Sequence, residues 1–286
     1  MKKEIEIIVA NPAGNVTIFV RQPFRKNEYS KVAKQLLSME ELNGEQVAYI
    51  LSDAECKPEP KENPTAAHAQ TYAMEMCGLE FCGNATRSFA LLVARQLGVS
   101  GETSVNVKVS GSDEVLPVTV DTTSGFTKVR MPNPHRIIPF SPIENVNGTL
   151  VDFGGIMHFV LDGADADAEF FEKIKEKIYQ EFDPPAFGVM FCHGGKGVEC
   201  KTKLMEPVVY VKNVDTTYFE GSCASGTTAC GAALVKGEKD GIYTFTFKQP
   251  AGTLSSTIVV EKGALTEIFI EGLVEIGPTK KVLVDI

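Results

Sequence analysis

Between residues 29 and 42, Val32, Leu36, Leu37 and Met39 recur on one helical face among charged neighbours, which predicts an amphipathic helix. Residues 166–182 repeat the pattern with Phe170, Phe171, Ile174 and Ile178, and the Pro184-Pro185 pair stops that helix. Both helices are expected to pack on the outside of a sheet. Most of the remaining apolar positions fall in short runs bounded by Gly, Asn, Asp or Pro: 16–20, 105–109, 115–120, 128–131, 208–211, 243–247, 257–260 and 267–270. The first nine residues alternate in the same way and read as a first strand. The spacing suggests hairpins and antiparallel pairs. No regular strand-helix alternation runs through the chain, so a doubly wound parallel sheet is not expected.

A chain of 286 residues is long for one core, and two domains are the natural division. The stretch Met131-Pro132-Asn133-Pro134-His135 is a candidate crossing point, since its prolines restrict the chain. The two halves also echo each other. Phe81-Cys82-Gly83-Asn84-Ala85-Thr86-Arg87-Ser88 opens a helix through Ala94, and Ser222-Cys223-Ala224-Ser225-Gly226-Thr227-Thr228-Ala229 opens another through Val235. Aligning Cys82 with Cys223 brings Thr86 onto Thr227, and a glutamate precedes each cysteine, Glu80 and Glu220. Within two strand-rich halves, this suggests a duplicated unit.

Composition narrows the function. The net charge of −9 argues against a nucleic-acid partner, and no segment is apolar and long enough to span a membrane. The N-terminus carries no signal-peptide pattern, so a cytoplasmic protein with reduced thiols is expected. Its seven cysteines then need a reading other than a disulfide framework.

Two cysteines at helix starts suit proton transfer. Inverting the α-carbon of an amino acid needs a base on one face and an acid on the other. A thiolate and a thiol can fill those roles near neutral pH. Unpaired N–H groups at a helix N-terminus favour the thiolate and can grip a carboxylate that gains charge as the carbon is deprotonated. The small residues Gly83 and Ala224-Ser225-Gly226 allow close backbone approach. Cys82 and Cys223 are therefore the candidate catalytic pair, with no metal or pyridoxal phosphate required.

At these residues the chain resembles the diaminopimelate epimerase superfamily of two-cysteine racemases and epimerases. Its Cys-Gly-Asn-Gly-like and Cys-Gly-Thr-Gly-like motifs read here as Cys82-Gly83-Asn84-Ala85 and Cys223-Ala224-Ser225-Gly226-Thr227. Gly14-Asn15 resembles the family's first substrate loop, and Gly155-Ile156-Met157-His158 its Gly-Asn-Pro-His. The resemblance spans the whole chain. It implies an α+β fold of two pseudo-symmetric domains, each a curled, barrel-like antiparallel sheet around a central helix, with the cysteines facing one another. The domains implied are 1–127, carrying Cys82, and 128–274, carrying Cys223, with a strand over 275–286 returning to the first. By the same carry-over, Gly83, Asn84, Ala224 and Ser225 bind the substrate carboxylate, and Asn15 and His158 lie nearby; Glu80 or Glu220 is a separate candidate to contact the amino group or side chain. No cofactor is implied.

The departures bear on substrate. Positions where diaminopimelate epimerases hold the far end of their substrate with asparagines fall on Ala73, Ile156 and Gly188, and the Glu-Arg-Gly run before the second cysteine is absent. A second carboxylate buried without such donors would cost several kcal/mol, roughly ten- to a thousand-fold or more in affinity. A single-headed amino acid is the better expectation. The Glu-Gly-Ser-Cys approach to Cys223 resembles the superfamily's histidine racemases, so histidine is favoured.

Plainer readings stand beside these. Cys56, Cys192, Cys200 and Cys230 are read as inert packing residues, and Cys77 is left between loop and packing. His68, His135 and His193 are read as surface or loop residues, and the acidic run over 162–172 as a solvated helix start. Gly14-Asn15 is also a common turn signal, and the glutamates can simply favour helix dipoles. The alternatives to a racemase of single-headed amino acids are a diaminopimelate epimerase, a non-catalytic redox or metal-binding protein and an isomerase of the phenazine-biosynthesis type, which lacks the cysteine pair. The partner expected is a small-molecule amino acid, and a homodimer is compatible with the chain.

Overall fold

The computed structural model describes residues 2–51, 70–195 and 197–286, so Cys56 and His68 lie outside the described residues. The chain divides into two compact units, one running up to Val129 and completed by Gly272–Ile286, the other Arg130–Glu271. The division thus falls just before the proline stretch at 131–135.

In the first unit, β1 (Lys2–Asn11) and β2 (Thr17–Val20) precede α1 (Lys26–Leu37). β3 (Gln46–Ile50) and β4 (Thr71–Met76) precede α2 (Gly83–Gln96). Three strands follow: β5 (Glu102–Val109), β6 (Leu116–Asp121) and β7 (Phe126–Met131). The C-terminal strand Glu275–Asp285 pairs antiparallel with β1, Lys2 opposite Asp285. From that strand inward the pairings run antiparallel to β1 and β2, parallel to β3, antiparallel to β4, parallel to β5, then antiparallel to β6 and β7.

The second unit contains β8 (Arg136–Ile143), β9 (Val146–Asp152), β10 (Met157–Asp162) and α3 (Ala168–Glu181). After these come β11 (Ala186–His193), β12 (Thr202–Val211) and the short β13 (Thr216–Phe219). The unit closes with α4 (Ala224–Leu234), β14 (Gly241–Gln249), β15 (Gly252–Glu261) and β16 (Ala264–Leu273). Its pairings follow the same order: β8, β9 and β10 antiparallel, β11 parallel, β12 antiparallel, β14 parallel, β15 and β16 antiparallel.

Each sheet is therefore mixed, which corrects the antiparallel expectation. The physical reason is connectivity. A parallel neighbour needs a crossover, and the helix lying between each parallel pair in the chain supplies it. α1 links β2 to β3, α2 links β4 to β5, α3 links β10 to β11, and α4 precedes β14.

The outer helices bury one face. Tyr29, Val32, Ala33 and Leu36 of α1 pack with Ile5, Ile7, Val20, Val47 and Val284. Phe171, Ile174 and Ile178 of α3 pack with Phe159, Phe187 and Val208. α1 ends earlier than the 29–42 pattern predicts, because a separate 3-10 turn, Glu40–Leu42, follows it and Leu37 stays exposed. α2 and α4 behave differently. Every residue of α2 from Gly83 to Ala94 is buried, as is almost all of α4 up to Ala232. No amphipathic stripe announces such helices, because polar residues such as Arg87 and Thr228 are enclosed too. Among the described residues, no helix is long and apolar enough to cross a membrane.

Candidate active site

The two helix starts share one local geometry. Cys82 is the N-cap of α2 with φ −131° and ψ 110°, and Cys223 is the N-cap of α4 with φ −131° and ψ 113°. The Ala85 N–H donates to Cys82 Sγ at 3.4 Å and the Gly226 N–H to Cys223 Sγ at 3.3 Å. Each sulfur thus takes the part that a Ser or Asp oxygen usually plays, accepting from the third residue of the helix. Thr86 Oγ1 donates to the Cys82 carbonyl at 2.7 Å, and Thr227 Oγ1 to the Cys223 carbonyl at 2.6 Å. The paired threonines seen in the sequence therefore lock the first turn of each helix.

This capping leaves the first two N–H groups of each helix, on Gly83 and Asn84 and on Ala224 and Ser225, without an acceptor further up the helix. Those groups are the candidate carboxylate grips.

Around Cys82, the chain reverses over Asn11-Pro12-Ala13-Gly14, where Gly14 N–H donates to Asn11 Oδ1 at 2.7 Å. Ala13 and Gly14 both adopt positive φ, 64° and 103°. Asn15 follows, almost wholly buried, with Oδ1 at 4.0 Å from Cys82 Sγ and Nδ2 donating to Glu45 at 3.3 Å. Asn84 is also buried, its Oδ1 accepting from Arg87 Nε at 3.1 Å. Glu80 turns back on its own loop, where the Gly78 and Glu80 N–H groups bond its carboxyl while burial pushes its pKa up. Cys77 packs against the α1 core, and burial raises its thiol to about 11.

Around Cys223, the thiol is 6% exposed. Burial first, then the charge and hydrogen bond of Glu220, push its pKa well up, while Ser225 and the Gly226 N–H pull the other way. Ser225 Oγ lies 3.5 Å from Cys223 Sγ and 2.9 Å from His158 Nε2. His158 is fully enclosed, and burial lowers its pKa to about 3, so its ring is neutral at physiological pH. Its Nδ1 has no hydrogen-bond partner among the described residues. Gly188 faces that ring across the β10–β11 pair, and a side chain there would come within 2.7 Å of Nδ1. The glycine at a position where diaminopimelate epimerases are expected to carry asparagine thus leaves room for the His158 ring.

Gln249, at the end of β14, was not singled out by the sequence. Its Oε1 accepts from the Cys223 N–H at 2.8 Å and its Nε2 donates to Thr227 Oγ1 at 3.0 Å, so it clamps the cysteine from behind. A lone glutamine at a strand end carries no pattern that would have revealed this. Gly226 is equally specific, since an added Cβ would lie 2.0 Å from Met190 Sδ.

The plainer cysteine readings gain detail. Cys192 and Cys230 are buried with their sulfurs 3.5 Å apart, and Cys200 Sγ donates to the Thr202 carbonyl at 3.0 Å. Both buried thiols line a cavity of about 260 Å³ at the far end of α4, beside Lys203. Among the described residues, no group of three or more His, Cys, Asp or Glu side chains could hold a metal ion.

Residues 4–282 match a family model described as the histidine racemase CntK N-terminal domain. A histidine racemase of Fusobacterium nucleatum subsp. nucleatum (strain ATCC 23726) is 33% identical over 98% of this chain and 97% of its own. A histidine racemase of Staphylococcus aureus (strain Mu50) is 24% identical over 90% of this chain and 89% of its own. Among solved structures, a hydroxyproline epimerase from Agrobacterium vitis with bound trans-4-OH-L-proline has a TM-score of 0.62 at 12% identity, covering 98% of this chain and 92% of that one. A probable proline racemase from Agrobacterium radiobacter K84 has a TM-score of 0.61 at 14% identity, covering 96% of this chain and 92% of that one. Those two likenesses concern the fold.

Proposed function

The chain belongs to the histidine racemase family, and from that membership we propose that it inverts the α-carbon of histidine by two-base proton transfer between Cys82 and Cys223. That the chain is an amino-acid racemase, an isomerase, follows from its relatives. The substrate and the two-cysteine mechanism are the proposal.

One observation supports the mechanism above the rest: two cysteines hold the same N-cap position, with matching dihedrals and matching N–H bonds to sulfur, in two units whose strands pair in the same order. We read the units as pseudo-symmetric products of one duplicated design, each contributing one acid-base group and one carboxylate grip.

In this mechanism one sulfur starts as thiolate and removes the α-proton while the other, a thiol, delivers a proton to the opposite face. The α-carboxylate rests on the N–H groups of Gly83, Asn84, Ala224 and Ser225, which oppose the charge that builds up as the carbon is deprotonated. Asn15 lies beside Cys82, and the His158–Ser225 pair beside Cys223. The chemistry requires that both sulfurs reach one carbon, and it uses only side chains and backbone of this chain. A single-headed substrate accords with Gly188, which leaves no donor at that position for a distal carboxylate.

Incubation of L- and D-histidine in D2O, followed by mass and chiral analysis, tests the proposal. Racemisation with one solvent deuterium at the α-carbon is expected, without added metal or pyridoxal phosphate. Cys82→Ser and Cys223→Ser should each abolish racemisation, while at least one still exchanges the α-proton of a single enantiomer. Full racemisation by either variant would refute the two-base assignment, and turnover of diaminopimelate in preference to histidine would overturn the substrate.

A further inference from the structure

Arg87 is among the largest side chains that the fold encloses completely. Nε donates to Asn84 Oδ1 at 3.1 Å and Nη2 to the Pro12 carbonyl at 2.7 Å. Nη1 donates to Thr127 Oγ1 and the Gly272 carbonyl, both at 3.1 Å, and to the Leu273 carbonyl at 3.2 Å. These acceptors reach all three guanidinium nitrogens, yet all are uncharged oxygens. A buried cation ordinarily demands an anion, because desolvation alone disfavours it strongly. Among the described residues, Cys82, five residues earlier at the head of the same helix, is a titratable group whose thiolate form would favour the charged guanidinium.

The second helix start lacks this feature. Counting from the two cysteines, the position of Arg87 is taken there by Thr228, whose Oγ1 donates to the Ala224 carbonyl at 2.8 Å. Where the first helix carries a cation one turn beyond its cysteine, the segment before the second helix brings the carboxylate of Glu220 to Cys223. Other titratable groups lie near both cysteines. Glu45 approaches the Cys82 corner through Asn15, and Glu80 acts on Cys77. Behind Cys223 lies Cys230, whose thiol is paired with Cys192 and is influenced by Lys203.

We infer that Arg87 is the positioning cation of the Cys82 half-site, holding the Pro12 loop, Asn84 and the head of α2 in one hydrogen-bonded unit and stabilising the Cys82 thiolate, so that the resting enzyme carries Cys82 as base and Cys223 as acid. This inference rests on the two-base reading above. It assigns a protonation state to each sulfur, which matched helix caps by themselves leave undecided. Arg87 touches no reacting atom; it acts through Cys82, Asn84 and the loop that presents Asn15.

Alkylation by iodoacetamide between pH 5 and 10, quantified for each cysteine by peptide mass spectrometry, reads the two ionisations in one molecule. In the wild type, the Cys82 midpoint should lie at least about one pH unit below that of Cys223. Arg87→Met should raise the Cys82 midpoint by about one unit or more, a roughly tenfold slower reaction at neutral pH, and leave that of Cys223 in place. Arg87→Lys, which keeps the charge and loses the fork, should restore most of the midpoint while KM rises as the Asn84 and Pro12 contacts loosen. Coincident midpoints in the wild type would overturn the inference, as would an unmoved Cys82 profile in Arg87→Met. Should that variant fail to fold, the wild-type comparison and the lysine variant still decide. The readout does not depend on turnover: racemisation by Cys82→Ser would remove the two-base reading, whereas an unshifted alkylation profile would remove only the role of Arg87.

Discussion

A sulfur atom is a weak acceptor when protonated and a good one as thiolate, so a cysteine in place of the usual N-cap oxygen couples helix capping to its charge state. Serine at either position preserves a cap. Cys82→Ser and Cys223→Ser should therefore lose racemisation while stability changes by no more than about 1 kcal/mol, checked by chemical denaturation. An equally large loss of stability would point to a packing role. His158 leads to a pH prediction. Its ring is neutral in the fold, with a pKa of about 3, whereas in the unfolded chain it protonates near its ordinary value of 6.5. The stabilising difference is complete above pH 6.5 and is lost as pH falls, by about 2 kcal/mol between pH 7.5 and pH 5. Denaturation at both pH values should show that loss in the wild type and a smaller one in His158→Leu. Equal losses would count against a neutral buried ring. Glu220 acts in the opposite sense on Cys223: its charge raises the thiol, so Glu220→Gln should move the Cys223 alkylation midpoint to lower pH.

The inner helices are built to be approached closely. α4 is built mostly of small residues, and a Cβ added at Gly226 or Gly231 would run into Met190 Sδ or Ser256 Oγ. Gly226→Ala should cost about 1–3 kcal/mol and reduce turnover by displacing the Gly226 N–H from Cys223 Sγ. Because Met190 is flexible, Met190→Ala in the same chain should recover part of the stability, a non-additivity that a double-mutant cycle measures. Strict additivity would mean that the two do not clash. Gln249 makes a second test, as Gln249→Leu breaks both bonds of the clamp and should cost about 1–3 kcal/mol. At this scale the outer helices were legible, since one apolar face at period 3.6 is a strong signal. α2 and α4 were legible only from their start motifs. The parallel pairs were not, because each depends on which strands a crossover helix brings together.

For the molecule as a whole, the last strand matters most to the first unit. Glu275–Asp285 completes the sheet beside β1, Val284 is buried in the α1 core, and Gln35 bonds the Asp285 backbone through both its amide nitrogen and oxygen. Removing residues 275–286 should unfold or aggregate the first unit and leave the second protease-resistant, as limited proteolysis would reveal. Survival of both units would show that the strand is dispensable. What the sequence by itself determined is local: two cysteines heading two helices, threonines one turn on, and two amphipathic outer helices, all written within a few residues of chain. The rest was decided by tertiary structure. That Gln249 clamps Cys223 from 26 residues away, that Gly188 leaves room for the His158 ring, and that Arg87 is enclosed among Pro12, Thr127 and Gly272 rather than solvated depend on which distant strands lie side by side. Hydrogen bonding and desolvation act through space, and a linear pattern records only the part of that space that the chain covers in its next turn.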